Sequence, residues 1–505
     1  MDNILRLCFH KDPITLDPRQ CGDKLSSALI FLLFKGLTRI EADGSIHCDL
    51  ADSFHLLDNR RRYVFYLGEH FWSNGDPITA HDFVSSIRSA LSPSFPLRST
   101  HLFHYLKNGQ KAINGTISQN KIGVQALDSK TLEIKLEYPC PFFLELISFC
   151  VFFPVHPSMQ SDGDSFPVCS GPFQLVNWTK GEEILLKKNP HCRSLFPVHV
   201  NQIHIRIIGD EKEAFQRFER GELDWLGNPI SPLPVNYLPA LTLEKKIKSI
   251  AGITCCWFNT QKGPFSNAQL RKAFACAIPR HKLLEKLLLP NAHPANHFYP
   301  SHFAGQNSDI FQEASSCAVQ LFQSALKELK MKRLKIIFSY EATDEFSRIA
   351  SLLKAHWENL FQIRILLEPL SFKEFWHSLP RQQFQLSMLC SISQYSEPVN
   401  FLEKLEFKNS PINFSGWENK RYQALLKQYR NTMDQKQHRT LIQEIESLLL
   451  NEMPIAPICD YSYAYLQQPH VKNIAISPIG TIKFDRAYLE QCRSPKEEEL
   501  LVLRN

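Results

Sequence analysis

Residues Phe71–Val84 read FWSNGDPITAHDFV, which predicts a strand, a tight turn and a helix start in immediate succession. Pro77 restrains the backbone between the turn and the helix, where a fixed φ is well tolerated. Thr79 suits the N-cap of that helix, and Asp82, three residues later, suits its capping-box partner. The apolar residues that follow begin the buried face of the helix. By itself, the stretch predicts a well-formed strand–turn–helix junction.

The composition is that of an ordinary globular protein with more than one domain. The chain has 505 residues, of which 44% are hydrophobic and 21% are charged, and a chain of this length divides into two or three domains. Its 57 basic and 51 acidic side chains include no run of Lys or Arg, so a nucleic-acid-binding surface is not expected. The most apolar segment, 142–155, is shorter than the roughly 20 residues that span a bilayer, and it predicts a buried strand or helix.

The amino terminus and the cysteines bear on the compartment. A first strand is predicted from Ile4, and no basic or long apolar segment precedes it in the chain as given, so no export signal is recognised. A mature form, a different start site and a cytoplasmic protein all remain open. The 14 cysteines show no zinc-like spacing. They are interpreted as small buried hydrophobes, and their number weighs mildly against a strongly oxidising compartment.

Short strands alternate with helices along the chain, which favours an α/β fold with largely parallel sheets. A hairpin is expected over 124–136, with its turn at Asp128. The clearest apolar periodicities predict helices over 321–329, 349–361, 422–433 and 439–453. Strands are predicted between them over 334–338, 363–367 and 384–389.

Motifs of catalysis and cofactor binding are missing from the sequence. It contains no GxGxxG at a strand–helix turn, no GxxxxGK[ST], no GxSxG and no HExxH. His101 and His104 lie three residues apart, a spacing more common among structural histidines than among metal ligands. No cofactor and no metal are expected. A soluble peptide hydrolase stays open as an alternative, because catalytic residues need only meet in space.

The motif at 71–84 resembles the signature of the oligopeptide-binding type of solute-binding proteins that serve ABC importers, extracellular solute-binding protein family 5. That family usually reads Trp-Ser-Asp-Gly, a small residue, Pro, and then Thr-Ala-x-Asp-Phe-Val. Further segments resemble the family in the same order along the chain. They are 12–18, 35–37, 50–54, 170–173, 188–190, 258–260, 264–274, 414–417 and 453–458.

The resemblance implies a two-lobed periplasmic-binding-protein fold of α/β class, with mixed sheets, crossing hinge strands and an inserted α+β subdomain. Lobe I would comprise three segments that are distant in sequence, and lobe II one continuous segment. The implied division is 1–46 lobe I, 47–169 inserted subdomain, 170–258 lobe I, 259–474 lobe II, and 475–505 lobe I return and C-terminal tail.

The resemblance also implies function. The protein would be the substrate-binding component of an ABC peptide importer: it would capture a peptide between the lobes by hinge closure and deliver it to permease subunits driven by cytoplasmic ATPases. It would be a monomer on the periplasmic or extracytoplasmic side, neither an enzyme nor membrane-spanning. A cytoplasmic peptide sensor with the same cleft remains an alternative.

Local matching to the family assigns ligand contacts to a first-lobe loop, the hinge and a second-lobe strand. The candidate ligand-binding residues are Asp23, Lys24, Asn259, Met388, Ser391, Ile392, Ser393, Gln394 and Tyr395. In the family, peptide main chain pairs with the strand, and roomy wet pockets accept varied side chains.

The strand departs from the family pattern where end groups of the peptide are expected. Gln394 stands where an Asp commonly pairs with the ligand's α-amine, and a neutral amide cannot neutralise an ammonium. Ser391 and Met388 replace a usual Trp and Arg, and Pro380 falls where basic residues help to hold some peptides' carboxylate. The two end-group anchors are therefore expected to be weakened or lost.

Two substrate hypotheses follow. In one, Asp23, Glu341 or Glu397 supplies the missing carboxylate, and ordinary oligopeptides bind. In the other, the ligand is specialised, such as a cell-wall peptide or a modified or blocked peptide.

Overall fold

The computed structural model describes residues 3–97, 99–160, 166–234, 246–287, 293–304, 310–311, 315–331 and 333–490. The end of the predicted C-terminal tail, 491–505, lies outside this part of the chain. All statements below concern the described residues.

Strands occur along the whole described chain. They are β1 (Ile4–Phe9), β2 (Thr38–Ile40), β3 (Ile46–Cys48), β4 (Ala51–Leu57), β5 (Arg62–Leu67), β6 (Val124–Ala126), β7 (Thr131–Lys135), β8 (Phe173–Thr179), β9 (Glu183–Lys188), β10 (Gln202–Ile207), β11 (Trp225–Gly227), β12 (Lys246–Phe258), β13 (Lys335–Glu341), β14 (Arg364–Leu370), β15 (Leu386–Ile392), β16 (Ile455–Gln467), β17 (Val471–Lys472), β18 (Ala475–Ile476), β19 (Ile482–Lys483) and β20 (Tyr488–Leu489).

The helices alternate with these strands. They are α1 (Lys24–Leu33), α2 (Ala80–Ala90), α3 (Gly109–Ile113), α4 (Phe143–Leu146), α5 (Glu211–Glu219), α6 (Ala268–Cys276), α7 (Arg280–Leu287), α8 (Ser315–Glu328), α9 (Asp344–Phe361), α10 (Phe372–Ser378), α11 (Val399–Leu402), α12 (Lys420–Asn431) and α13 (Gln435–Glu452).

The opening motif builds the junction that its sequence predicts. Phe71 and Pro77 pair across the turn as an isolated bridge, and α2 begins directly after Thr79. The Thr79 amide donates to the Asp82 carboxylate at 2.8 Å, which completes the predicted capping box. This junction stands beside the sheet β4-β5-β7-β6, in which β6 and β7 form the predicted hairpin over 124–136.

The chain also forms two larger sheets. One has the order β1-β10-β9-β8, and the other has the order β11-β16-β12-β15-β13-β14. The long strands β12 and β16 pair antiparallel, and their register shifts between Ser249 and Ile253, as a β-bulge does. At one end β16 pairs with β11, which adjoins β1 through the Arg6–Asp224 salt bridge at 2.6 Å. At the other end β12 pairs with β15. The six-stranded sheet therefore adjoins the four-stranded sheet through β11 and β1.

The expectation of largely parallel sheets is wrong, whereas the mixed α/β architecture is confirmed. Parallel pairs are β1 with β10, β13 with β14 and β13 with β15. Each of the other named pairs is antiparallel, including the hairpins β4–β5, β6–β7 and β8–β9. Alternation along the chain predicts which elements form, but pairing partners far apart in sequence set the strand direction.

Helix α1 positions one wall of the cavity described below. Its apolar face, with Leu25, Leu29 and Leu33, is buried in the core. Asp23 is its N-cap and accepts a hydrogen bond from the Ser26 amide at 2.9 Å. The packed face fixes the helix, so its first residues are held in place at the cavity.

Candidate functional site

A cavity of about 1060 Å³ is lined by segments that follow β1 and β11 and by parts of β12, β13, β15 and β16. One wall comes from residues 10–27 and 228–233, and the opposite wall from segments between 341 and 464. Its apolar lining includes Phe149, Trp257, Phe346, Phe372, Phe375, Trp376, Phe414 and Tyr461. A volume at the upper limit of small-molecule pockets, about 300–1,000 Å³, suits a ligand larger than a single metabolite.

Five of the predicted contact residues line this cavity. They are Asp23, Lys24, Ser391, Ile392 and Gln394. The first two come from the start of α1 and the other three from the end of β15 and the residues after it. Positions nearly 370 apart in sequence thus meet at one cavity. Ligand contact by these five residues stays a prediction.

The other four predicted contact residues have their side chains in the protein interior. Met388 is fully buried in the core, on the part of β15 that pairs with both β12 and β13. Asn259 donates to the carbonyls of Gln382 and Phe384, each at 2.9 Å. Ser393 and Tyr395 are also buried. The structure does not bring these four side chains to the cavity wall, because local packing satisfies them.

Tyr395 links the segment after β15 to the region that contains Tyr105 and Phe142. Its hydroxyl donates to Glu403 at 2.6 Å, and its ring stacks on Phe142 with centroids 4.3 Å apart. Tyr105 donates to the second oxygen of Glu403 at 3.0 Å. Glu403 also lies 3.5 Å from Arg430. This buried network joins two regions that are distant in sequence.

A second bridge crosses the cavity. Lys11, from the loop after β1, forms a salt bridge of 2.9 Å with Glu341 at the end of β13. Its ammonium also lies 3.0 Å from the centre of the Phe372 ring, a cation–π contact. Ser396 donates to Glu145 of α4 at 2.6 Å. With these contacts made, the two sides of the cavity are in direct contact.

Lys24, Lys404 and His101 form what we call the basic patch of the cavity lining. Lys404 lies in a 3-10 turn and is 7% exposed, with its ammonium 4.7 Å from the centre of the Phe401 ring. Burial, together with the smaller effect of the nearby charge of Lys24, lowers the pKa of Lys404 to about 8. Burial also lowers the pKa of Lys24. The two ammonium groups therefore share one poorly solvated region.

His101 is buried beside these lysines. Burial lowers its pKa well below the ordinary value, and the charge of Lys404 acts in the same direction. Its ring is therefore neutral at physiological pH and can offer one donor and one acceptor. Gln394 adjoins it, donating its side-chain amide to the Ile392 carbonyl at 3.2 Å. Both groups next to the lysines are uncharged.

Glu211 and Glu345 form what we call the acidic patch of the cavity lining. Burial raises the pKa of Glu211 to about 8, with further contributions from Asp344, Glu345 and Asp210. Burial raises the pKa of Glu345 to about 7. The carboxylates that act on Lys24 and Lys404 are Asp23 and Glu403, respectively, so the acidic patch does not neutralise the basic one.

The three carboxylates suggested as substitutes for the usual Asp have other surroundings. Asp23 caps α1, and Glu341 pairs with Lys11. Glu397 accepts from the Tyr429 hydroxyl at 3.4 Å, and burial raises its pKa to about 7. Asp23 and Glu341 line the cavity, whereas Glu397 is not among its lining residues. Arg381 lines it too, and donates to the His377 carbonyl at 3.0 Å.

Sequence reasoning missed Lys404, Glu211 and Glu345 as cavity residues. Lys404 follows Glu403 in a short turn, and the two glutamates lie in the first turns of α5 and α9. Charged residues in first helical turns are common on protein surfaces, so the sequence carried no signal for them. In the described part of the chain, no cluster of three His, Cys, Asp or Glu side chains could hold a metal ion.

Comparison with known proteins places this fold. A family model described as "Bacterial extracellular solute-binding proteins, family 5 Middle" matches residues 45–411. The "Oligopeptide-binding protein OppA" of Bacillus subtilis (strain 168) is 28% identical over 505 residues, covering 96% of this chain and 92% of that protein.

Solved structures agree with that match in fold. "Listeria monocytogenes OppA bound to peptide" superposes with a TM-score of 0.87 at 23% identity, over 97% of this chain and 100% of that one. The murein tripeptide-binding protein MppA, in its unliganded open form, gives a TM-score of 0.69 at 25% identity, over 97% of each chain. None of the described helices has the length and hydropathy needed to cross a membrane.

Proposed function

The chain belongs to family 5 of the bacterial extracellular solute-binding proteins, and we propose that it captures peptides in the cavity between its lobes for an ABC importer. The observation that carries the proposal is the cavity of about 1060 Å³, which is lined both by the N-terminal segments and by segments between 341 and 464. A ligand that contacts both walls favours the conformation in which the walls are close together.

Closure provides the signal to the importer. The Lys11–Glu341 salt bridge and the Tyr105–Glu403 hydrogen bond can form only when the two sides approach. Hinge closure around a ligand is a known mode of domain motion. The closed form, with its peptide enclosed, would be the form that the permease subunits and their cytoplasmic ATPases accept.

The ligand leaves unchanged in this proposal. The similar proteins are solute-binding proteins rather than enzymes, and we extend that property to this chain. We also place the protein on the periplasmic or extracytoplasmic side of the membrane, as a monomer, by analogy with its family.

We further propose a division into lobes. Lobe I comprises 1–46, 170–258 and the return at 475–505, the inserted subdomain comprises 47–169, and lobe II comprises 259–474. The separate sheet β4-β5-β7-β6 supports the insertion, and the crossing strands β12 and β16 support a hinge near 258 and 455. Within the cavity we assign ligand contact to Asp23, Lys24, Ser391, Ile392 and Gln394. Asn259, Met388, Ser393 and Tyr395 are assigned to support of these contacts.

Titration calorimetry of the full chain with mixed synthetic peptides of two to five residues tests the proposal. We expect saturable binding, a rise in the unfolding temperature with peptide concentration, and no cleavage products by mass spectrometry after prolonged incubation. Cleavage of the peptides would indicate the alternative, a peptide hydrolase. No binding and no cleavage would contradict both functions.

A further inference from the structure

The basic patch presents two positive charges to the cavity from opposite sides. Lys24 is the first residue of α1, on the wall formed by the N-terminal segments. Lys404 comes from the 3-10 turn at 403–405, on the opposite wall. Because they belong to different walls, one ligand group between them would contact both lobes at once.

Neither lysine has a carboxylate partner within salt-bridge distance among the described residues. Glu403, next to Lys404 in sequence, accepts the hydroxyls of Tyr105 and Tyr395 and lies beside Arg430. The Asp23 carboxylate accepts the Ser26 amide. The nearest acids thus have other hydrogen-bond partners, and neither ammonium group has a carboxylate in direct contact among the described residues.

Such an arrangement is unfavourable in an empty protein. A buried cation without a partner loses its hydration, and two like charges in one poorly solvated region repel each other. Lys24 also stands at the N-terminus of a ten-residue helix, where the helix dipole disfavours a cation and favours an anion. An anion from the ligand would relieve each of these costs.

We propose that the basic patch binds a carboxylate of the peptide ligand between Lys24 and Lys404. The inference rests on the proposed peptide-binding function and names the ligand chemistry at one place in the cavity. Gln394 and His101 complete the site. Both are neutral, so they can form hydrogen bonds with the carboxylate but carry no negative charge that would compete with it for the lysines. The carboxylate is either the C-terminal group of the peptide or an Asp or Glu side chain.

A set of tetra-alanine peptides separates these two sources. Tetra-alanine is prepared as the free acid and as the C-terminal amide, and further amides carry Glu or Gln at each position in turn. Calorimetry then compares each acid with its neutral partner on the full-length protein. Free acid preferred to amide identifies the terminal carboxylate, whereas Glu preferred to Gln at one position identifies the side chain.

Wild-type protein is expected to bind at least one acidic peptide about 30-fold or more tightly than its neutral partner, as for other buried charge pairs. Lys404→Met should reduce that ratio to within about threefold, and Lys24→Met should act in the same direction. Lys373, an exposed lysine at the rim of the same cavity, provides the control for net charge. Its Lys373→Met variant should retain the large ratio.

Three outcomes would overturn the inference. Neutral peptides that bind wild-type protein as tightly as their acidic partners would refute it and leave peptide binding intact. If the preference for acidic over neutral peptides persists in both Lys404→Met and Lys24→Met, the inference is likewise refuted and peptide binding stays intact. Failure of all these peptides to bind wild-type protein would refute the inference and the proposed function together. Lys404→Gln and circular dichroism of each variant guard against loss of folding.

Discussion

The basic and acidic patches of one cavity respond to the same physical environment in opposite directions. Burial lowers the pKa of Lys404 to about 8 and raises the pKa of Glu211 to about 8. In each case the poorly solvated wall disfavours the charged form. Both patches are therefore costly when the cavity is empty, and a peptide carries groups of both charges that can compensate them.

The two patches differ in what surrounds them. The basic patch draws on both lobes and adjoins the buried network of Glu403, Tyr395 and Tyr105. The acidic patch consists of two carboxyl groups in the first turns of α5 and α9. This difference predicts that the basic patch depends on rigid support, whereas the acidic patch depends mainly on pH.

Removing a buried charge from the basic patch should give the largest change. Lys404→Met is expected to stabilise the unliganded protein by about 1–3 kcal/mol at pH 7, because an unpaired buried cation is replaced by an apolar group. Wild-type stability should rise between pH 8, the folded-state pKa of Lys404, and about 10.5, its unfolded value. The gain of the variant should therefore fade across that window.

Denaturant unfolding at several pH values measures this gain. Lys408→Met removes the charge of an exposed lysine four residues away and should change the stability little. A loss of stability in Lys404→Met would mean that Lys404 has a compensating partner in the empty protein.

The basic patch can also be tested by adding a carboxylate to the protein itself. Gln394→Asp should place a negative charge beside His101 and the lysines, and so compete with the ligand's carboxylate. We expect affinity for acidic peptides to fall about tenfold, the effect of about 1.4 kcal/mol. Gln394→Asn, equally short but neutral, is the matched control in calorimetry. Unchanged peptide affinity in the Asp variant would show that position 394 controls neither carboxylate nor amine recognition.

Removal of a single hydroxyl group should weaken the hydrogen-bond network of Glu403, which lies next to the basic patch. Tyr395→Phe keeps the ring that stacks on Phe142 but removes the hydroxyl bonded to Glu403. The loss should cost about 1 kcal/mol of stability, measured by denaturant unfolding. Tyr488→Phe, on an exposed side chain, should be neutral. Equal effects of the two changes would mean that the Glu403 network does not stabilise the fold.

The acidic patch should give the smallest effect, and a purely pH-dependent one. The folded-state pKa of Glu211, about 8, exceeds its unfolded value of about 4.3. The stability of the wild-type protein should therefore fall as the pH rises from about 4.3 to about 8. Glu211→Gln should remove that decline, with a gain of up to about 1 kcal/mol above pH 8, since partial exposure screens the charge.

Thermal unfolding at pH 4, 6 and 8 detects this trend. Glu219→Gln, on the exposed part of the same helix, should give no comparable pH dependence. A gain that is the same at pH 4 and pH 8 would refute the assignment to the Glu211 carboxyl.

Local sequence predicted much of the scaffold. The capping box at Thr79, the hairpin over 124–136 and the late helices depend on residues close together in the chain, and each is present. The match of ordered motifs predicted the family, which the family model confirms over residues 45–411. Strand direction was predicted less well, because hydrogen-bond partners come from distant segments.

The candidate site was predicted only in part, for a reason visible along β15. The sequence marks 388–395 as one contact strand, but the structure turns Met388 into the core and Gln394 toward the cavity. Side-chain direction depends on register and on what packs against each face. No local sequence pattern predicted Lys404 or Glu211 as cavity residues, because their importance depends on burial, which tertiary packing sets.

The sequence by itself determined the family, the mixed α/β class and the local elements, since these follow from short-range patterns. Only the tertiary structure decided which charges share the cavity, because Lys24 and Lys404 are about 380 positions apart and meet through the packing of α1 and the turn at 403–405. Tertiary packing also sets the poor solvation that shifts their pKa values. Solvation depends on every neighbouring segment, and no single stretch of the chain encodes it.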